Sequence, residues 1–201
     1  MKEIDSLLNY RRYLDCTSKK LTDLSSAAEL TQLLHNAYAA DVNLGIHFGA
    51  STITEAQVRD HILNTPTFVL QTDDGKIAAT ASVRLPWSDN PGPFTLPHIG
   101  WVATNPLYQH QGFAKQIITQ VITHFVKDEL HAPAVSLGTA VEHPWLQDFY
   151  HSIGFQTIDI VRKFQDHQTA YLISIFDEHR THQIEDVYLK KILPQTILNE
   201  R

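Results

Sequence analysis

The sequence has only one cysteine, Cys16, among its 201 residues. A lone cysteine cannot form an intramolecular disulfide, and it cannot supply a zinc site built from several cysteines. Long apolar runs are missing as well: AYLISIF at 170–176 has the length of a strand, whereas a membrane-spanning helix needs about 20 residues. The chain starts with mixed acids and bases rather than with the apolar run of a signal peptide. We therefore expect a cytoplasmic protein whose single cysteine is a buried apolar side chain rather than a nucleophile.

Positive charge is also scarce, because 16 Lys and Arg stand against 22 Asp and Glu, a net charge of −6. This balance argues against an extended nucleic-acid surface. The twelve histidines are scattered, and no HExxH or Cys/His cluster gives them the spacing of metal ligands. His179 and His182, three residues apart, are more typical of a solvated helix face, so we predict no metal. With 43% hydrophobic and 19% charged residues, the chain has the composition of a globular domain.

Two capping boxes predict two helices near the start of the chain. Ser26 and Glu29 form one box, Thr54 and Gln57 form the other, and apolar residues follow each box at helical spacing. The pattern then changes to strands: 67–72 and 77–85 are joined by Asp-Asp-Gly, a strong hairpin signal. We predict further strands at 98–104, 134–139, 157–161 and 170–176, and further helices over 113–125, from near Pro144, and over 184–192.

The segment Leu85–Pro97 contains four prolines and a glycine, so we expect an irregular loop of functional importance. Trp87 and Phe94 in this loop either line an acceptor pocket or hold the loop against the core, and the sequence does not decide between them. Trp101 and Trp145, in a strand and a short helix, are expected in the core. Strands that alternate with helices predict a mixed sheet with both faces covered.

The turn Gln109–Ala114, QHQGFA, follows a strand and opens a helix. Backbone N–H groups and the positive end of the helix dipole can face an anion there, and Gly112 allows close approach to the backbone. The turn lacks the lysine and hydroxyl of a nucleotide-hydrolysing loop, and it is not G-x-G-x-x-G. It therefore predicts a site that binds the diphosphate of a ligand whose reacting group lies elsewhere. The alternative is an ordinary helix start.

These residues resemble the GNAT acetyltransferase superfamily, whose phosphate loop reads Q/R-x-x-G-x-G/A. Gln109, Gly112 and Ala114 match that loop, and FYHSIGF at 149–155 is similar to the second motif of the family. The resemblance covers roughly residues 19–176, which leaves 1–18 as an N-terminal extension and 177–201 as a C-terminal helical extension. It implies a mixed α/β fold, with a central and mostly antiparallel sheet of about six or seven strands flanked by helices.

The resemblance also implies that acetyl-coenzyme A (acetyl-CoA) is the donor. Its pantetheine arm would pair with the strand edge at Val102, Ala103 and Thr104. Its pyrophosphate would be bound by backbone N–H groups of Gln109, His110, Gln111, Gly112, Phe113 and Ala114. His143 stands where many relatives have an asparagine that contacts the coenzyme, and an imidazole can supply one similar hydrogen bond.

Acetyl transfer to an amine needs a group that accepts a proton from nitrogen and a group that returns a proton to the departing thiolate. His98 lies where several family members carry a glutamate or histidine base, although it also reads as an ordinary strand-end histidine. Tyr150 corresponds to the family tyrosine that protonates the thiolate, although it also fits the apolar face of its helix. We predict direct attack by the amine, without a covalent enzyme intermediate.

Two alternatives stay open at this stage: a module that binds acyl-CoA without turnover, and an acyltransferase with another acyl donor or an alcohol acceptor. The acceptor can be a small amine, an amino acid, an antibiotic or a protein N-terminus, and the net charge favours a cationic amine over an acidic one. We expect neither a nucleic acid nor a membrane as partner. The sequence does not distinguish a monomer from a homodimer.

Overall fold

The computed structural model describes residues 17–143 and 145–192. Seven strands form a sheet in the order β1-β2-β3-β4-β5-β7-β6. The pairs β1–β2, β2–β3, β5–β7 and β6–β7 are antiparallel, and β4–β5 is parallel. The predicted mixed and mostly antiparallel sheet is thus confirmed. The strands are β1 Lys19–Lys20, β2 Thr67–Gln71, β3 Ile77–Arg84, β4 His98–Thr104, β5 Ala134–Ala140, β6 Gln156–Val161 and β7 Thr169–Ile175.

In the described part of the chain, six α-helices connect these strands or follow them: α1 Ala27–Asn43, α2 Glu55–Asn64, α3 Phe113–Gln120, α4 Leu146–Ser152, α5 Glu178–His182 and α6 Val187–Ile192. Short 3₁₀ turns lie at Gly49–Ser51 and Pro106–Tyr108. A π-helix, Val121–Glu129, follows α3 directly. Among the helices of the described residues, none is both long and apolar enough to cross a membrane.

The chain packs as two units, each assembled from separate stretches of sequence. Among the described residues, the first unit contains 17–39, 49–82 and 101–121. The second contains 40–48, 83–100, 122–143 and 145–192. Strands β3 and β4 each contribute residues to both units. The division falls after Ser82 in β3 and before Trp101 in β4.

In the first unit, α1 and α2 bury one face each against strand residues. The core includes Leu30, Leu34, Val58, Val69 and Ile77, all fully buried. Burial of such side chains contributes about 1.5–3 kcal/mol each to folding.

The two capping boxes differ in outcome. The box that opens α2 is confirmed, because the side chains of Thr54 and Gln57 cap each other's backbone N–H groups. At α1 the helix begins after Ser26 as predicted, but the Glu29 carboxylate accepts instead from the N–H of Ile77 at 2.8 Å. The hairpin is also confirmed, and its Gly75 has φ +79°, a conformation that favours glycine.

In the second unit, the long loop and helix α6 share one core. Phe94 is 3% exposed and packs with Tyr171 and with Leu189 of α6. The carboxylate of Asp186 accepts from the N–H of Thr95 at 2.6 Å and from the N–H of Leu189 at 2.8 Å. Phe94 therefore holds the loop against the core, whereas Trp87 in the same loop is 70% exposed.

Several sequence predictions are wrong in this unit. Trp145 precedes α4 and is 58% exposed, and its ring meets the ring of His143 in a T-shaped contact with centroids 4.9 Å apart. Within α4 Tyr150 is buried, whereas Leu146 and Phe149 are only partly buried, since the helix has just seven residues. In place of a helix over 184–192, α6 begins at Val187, which is 87% exposed, and buries Leu189.

Trp101, the other tryptophan expected in the core, is only partly buried and stacks on His61 with ring centroids 3.5 Å apart. Cys16, Pro144 and the chain after 192 lie outside the described residues.

Candidate active site

In the first unit, the end of β4 changes its backbone direction at Trp101, which has φ +49°. The pairing of β4 with β5 involves His98 and Ile99, before this point. Beyond it, the carbonyl of Val102 accepts from the Tyr38 hydroxyl at 3.2 Å. The Oγ1 atom of Thr104 is buried and has no hydrogen-bond partner within the described residues. A buried hydroxyl without a partner costs free energy, which is typical of a position that a ligand completes.

The turn after β4 presents the start of α3. His110 and Gly112 both have positive φ, +60° and +85°, so the chain reverses sharply before the helix. Gly112 occupies the N-cap position, where no side chain caps the helix. The N–H of Gln116 donates to the carbonyl of Gly112 at 3.0 Å, and helix geometry gives the preceding N–H groups of the first turn no acceptor within the helix.

The side of Gly112 on which a Cβ would stand is open, because no atom of residues 17–143 or 145–192 is found within 4 Å of that position. A phosphate can therefore reach the backbone of this turn, as a diphosphate-binding site requires.

In the second unit, His98 is buried and hydrogen-bonded to a residue that the sequence analysis missed. Its Nδ1 lies 2.9 Å from the Oγ of Ser136, the residue opposite it in the β4–β5 register. The Ser136 hydroxyl donates its only proton to the carbonyl of Pro97 at 3.3 Å. With its proton on that carbonyl, the hydroxyl accepts from His98, and in this tautomer the imidazole carries its proton on Nδ1 and a lone pair on Nε2.

The surroundings of His98 keep its imidazole neutral. Burial lowers the pKa of His98 well below 6.5, and the positive charges of Arg84 and Lys163 lower it further. The imidazole is thus unprotonated at neutral pH and able to accept a proton. Because its basicity is low, it is suited to accept a proton from nitrogen during bond formation rather than to hold one beforehand.

Gly92 in the long loop is a second residue that the sequence analysis missed. A Cβ on Gly92 would lie 2.4 Å from the Cβ and 2.8 Å from the Cγ of His98. On another side, the ring of Tyr171 meets the imidazole edge-on with centroids 6.4 Å apart. The Pro91-Gly92-Pro93 sequence was the available signal for a constrained loop, but it does not say which residue the glycine approaches.

Tyr150, on α4, is 6% exposed. Its ring packs edge-on against Phe155, with centroids 6.0 Å apart. Burial raises the pKa of Tyr150 far above its usual range, so the phenol stays protonated at every physiological pH. A protonated hydroxyl in this environment can donate to an anion but cannot act as a base.

His143 makes a buried contact with a carboxylate that the sequence did not predict. Its Nε2 lies 2.8 Å from Oδ1 of Asp41, near the end of α1, and both side chains are almost fully buried. Desolvation raises the pKa of Asp41, and His143 opposes that shift. The Nδ1 of His143 is buried without a partner within the described residues, so it is the ring atom left for a ligand.

The predicted site residues are therefore distributed between the two units. The first unit holds Val102, Ala103, Thr104 and the whole turn 109–114. The second holds His98, Tyr150 and His143. Within the described parts of the chain, no group of three or more His, Cys, Asp or Glu side chains is arranged to hold a metal ion.

Comparison with known proteins identifies relatives of this arrangement. The sequence pattern of the Acetyltransferase (GNAT) family matches residues 34–155. S-(2-succino)cysteine N-acetyltransferase from Bacillus subtilis is 34% identical over 146 residues, which cover 73% of this chain and 88% of that protein. S-alkylcysteine N-acetyltransferase from the same organism is 33% identical over 138 residues, which cover 68% of this chain and 77% of that protein.

The fold comparison agrees with the sequence comparison. The structure of yncA from Salmonella typhimurium with its cofactor acetyl-CoA has a TM-score of 0.62 at 16% identity, covering 82% of this chain and 96% of that one. The predicted GNAT resemblance is thus confirmed by family pattern, relatives and fold. The chain is an N-acetyltransferase and belongs to the acetyltransferase (GNAT) family.

Proposed function

We propose that this protein transfers the acetyl group of acetyl-CoA to the α-amino group of an S-substituted cysteine. The observation that carries the acceptor class is the similarity to two enzymes named for such substrates, at 34% and 33% identity over most of their length. The alternative acceptors left open by the sequence, such as antibiotics and protein N-termini, have no comparable support.

Acetyl-CoA supplies an acetyl group activated as a thioester. Three features of the chain support its binding. The turn 109–114 offers the N–H groups of a helix start around an open Gly112, which suits a pyrophosphate. The backbone of Val102, Ala103 and Thr104 would pair with the amides of the pantetheine arm as a strand pairs with a peptide. Thr104 Oγ1 and His143 Nδ1 are buried polar atoms that still lack a partner among the described residues, so either can bind a polar group of the coenzyme.

In this mechanism His98 accepts the proton from the attacking amine. A protonated amine cannot attack, and the nitrogen becomes acidic as its bond to the acetyl carbon forms. The Nε2 lone pair of His98, left open by the Nδ1 hydrogen bond to Ser136, receives that proton directly or through a water. The protonated imidazole then loses the proton readily, because burial and the nearby cations disfavour its charged form.

Tyr150 returns a proton to the other product. When the C–S bond breaks, sulfur leaves as a thiolate, and a buried phenol that stays protonated can donate to it. The phenolate that remains is unfavourable in this environment, so it regains a proton from solvent before the next turnover.

Direct comparison of acceptors tests this proposal. The protein is incubated with acetyl-CoA and, separately, with S-methyl-L-cysteine, S-(2-succino)cysteine, spermidine or a short peptide with a free N-terminus, while released thiol and product mass are recorded. We expect at least tenfold higher kcat/KM for an S-substituted cysteine than for the polyamine or the peptide. N-acetyl-S-methyl-L-cysteine is the matched control, because its nitrogen is blocked and no thiol should be released. Preferential acetylation of the polyamine or the peptide would overturn the acceptor assignment.

A further inference from the structure

Arg84 ends β3 in the second unit with a half-buried side chain. Its Nη1 lies 3.4 Å from Oδ1 of Asn90 and 3.4 Å from the carbonyl of Pro91, and both hydrogen bonds are long for a guanidinium. A guanidinium has five N–H donors and remains charged at any physiological pH. Most of its hydrogen-bonding capacity is therefore not used by the residues that the structure describes.

The charge of Arg84 is also not neutralised. Within residues 17–143 and 145–192, no carboxylate forms an ion pair with it. Asp159 raises the pKa of Tyr171 whereas Arg84 lowers it, and the Asp159 carboxylate accepts from the Tyr188 hydroxyl and from the N–H of Ile160. Removing a guanidinium from water without an anionic partner costs free energy, and this desolvation lowers the pKa of Arg84. The environment thus favours an anion that the described part of the chain does not supply.

The guanidinium and His98 share the same surroundings. Pro91, whose carbonyl faces Arg84, is followed by Gly92, which lies against His98. Arg84 acts electrostatically on both His98 and Tyr171, and the rings of these two residues meet edge-on. An anion held by Arg84 would therefore lie close to the residue proposed to deprotonate the amine.

We infer that Arg84 binds the α-carboxylate of the amino-acid acceptor and thereby directs its α-amine toward His98. The inference rests on the proposed function and names the residue that recognises its substrate class. A single carbon carries both the amine and the carboxylate, so fixing one group fixes the other within a few ångströms. The planar guanidinium matches a carboxylate with two parallel hydrogen bonds, which a lysine cannot do.

The test compares an acid with its ester. Initial rates are measured with S-methyl-L-cysteine, whose only carboxylate is the α-carboxylate, and with its methyl ester, in wild type and in Arg84→Met. For each substrate, kcat/KM of the wild type is divided by kcat/KM of the variant, so that the different basicities of the two amines cancel. We expect kcat/KM for the acid to fall by about 10- to 150-fold, the usual range for a charged hydrogen bond, and for the ester by no more than about threefold.

Two further variants serve as controls for the loss of an arginine at another position and for the loss of positive charge. Arg162→Met removes an exposed arginine of the same unit and should change neither ratio. Arg84→Lys keeps the charge but not the paired hydrogen bonds. Its kcat/KM for the acid should therefore lie between the values of wild type and Arg84→Met. The acetyl-CoA-dependent rise in melting temperature must persist in each variant, which identifies any that fails to fold.

Each remaining outcome overturns the inference. An equal fall in kcat/KM for acid and ester would mean that Arg84 stabilises the fold or positions His98 and does not bind the α-carboxylate. A loss on S-(2-succino)cysteine with none on S-methyl-L-cysteine would assign the guanidinium to the carboxylates of the side arm. If wild type acetylates neither compound but acetylates another amine, the acceptor proposal itself fails and this inference falls with it.

Discussion

Gly92 lies directly against His98, so close that a methyl group on the glycine would lie 2.4 Å from the histidine Cβ. A Cβ atom essentially never lies within 3.0 Å of a non-bonded heavy atom, so either the new methyl group or His98 would have to move. The long loop and the imidazole are thus fitted to each other, and the glycine is required for its small size rather than for its conformational freedom.

Replacing Gly92 with alanine should displace either the loop or His98. We expect kcat to fall at least about tenfold, because small displacements of a catalytic group are costly, and stability to fall by about 1–3 kcal/mol from overpacking. Steady-state kinetics and denaturant unfolding measure the two effects. Gly49→Ala is the control, since no atom lies within 4 Å of the new methyl group there. Wild-type kinetics in Gly92→Ala would mean that the position of His98 is unimportant for turnover.

Ser136→Ala should impair His98 without removing it. The imidazole loses the acceptor that keeps its proton on Nδ1, so a fraction of molecules carries the proton on Nε2 and cannot act as a base. We expect about a tenfold loss of kcat with little change in KM for acetyl-CoA. Ser82→Ala is the matched control, because the buried Ser82 Oγ has no hydrogen-bond partner in the described part of the chain. Equal kinetic effects of the two substitutions would contradict the tautomer role.

Protonation of His98 should make stability depend on pH in the acid range. The folded-state pKa is below 6.5, so at pH under about 6.5 the unfolded chain binds a proton that the folded chain excludes. The free energy of unfolding should therefore fall as pH falls from 6.5 toward the folded-state pKa, by up to about 1.4 kcal/mol per pH unit from this group. Urea unfolding of wild type and His98→Gln at pH 7.5 and 5.0 tests this.

The acid-induced loss should be smaller in His98→Gln than in wild type. His179→Gln, at an exposed position, should leave the pH dependence as it is in wild type. Parallel losses in wild type and His98→Gln would show that the imidazole is not held neutral in the folded state.

Gly112→Val should abolish binding of acetyl-CoA at the turn after β4. At about 100 times its Kd, acetyl-CoA stabilises the wild-type protein by about 2.7 kcal/mol, which for a chain of this size raises Tm by roughly 5–10 °C. A branched side chain at Gly112 would occupy the open side of the turn and strain a backbone with φ +85°. Gly75→Val carries the same strain at φ +79° in the hairpin and should keep the full ligand-induced shift.

Tyr150→Phe should lower kcat about 100-fold without changing KM for acetyl-CoA, because it removes a proton donor and keeps the ring. Since burial raises the pKa of Tyr150, the activity of wild type should not decline up to pH 10 through this group. Steady-state rates from pH 6 to 10 check both statements. A KM effect without a kcat effect would mean that Tyr150 is a packing residue.

Local patterns predicted the elements of this fold better than they predicted its contacts. The hairpin, β4 and the turn at Gly112 depend on neighbouring residues, and the sequence gives their positions to within a residue or two. The partnership of His98 with Ser136 spans 38 positions and arises only from the parallel pairing of β4 with β5, which no local pattern encodes.

The charge around His98 could not be predicted from the sequence either. The net charge of −6 favours cationic acceptors, but a net charge does not describe the field at one point. Arg84 and Lys163 both lower the pKa of His98, so the surroundings of the proposed base are locally positive. The prediction that Trp145 lies in the core was also wrong. The size of the side chain suggested burial, but its position before a seven-residue helix leaves it exposed.

The hydrogen bond from Thr95 to Asp186 has a practical consequence for engineering. The loop that approaches His98 is held at its far end by a carboxylate and by the core around Leu189, both contributed by the last stretch of the described chain. Residues remote from the reacting groups thus control the geometry of the loop. A mutant library confined to 85–97 would omit them, and a selection for new acceptors should also randomise 184–192.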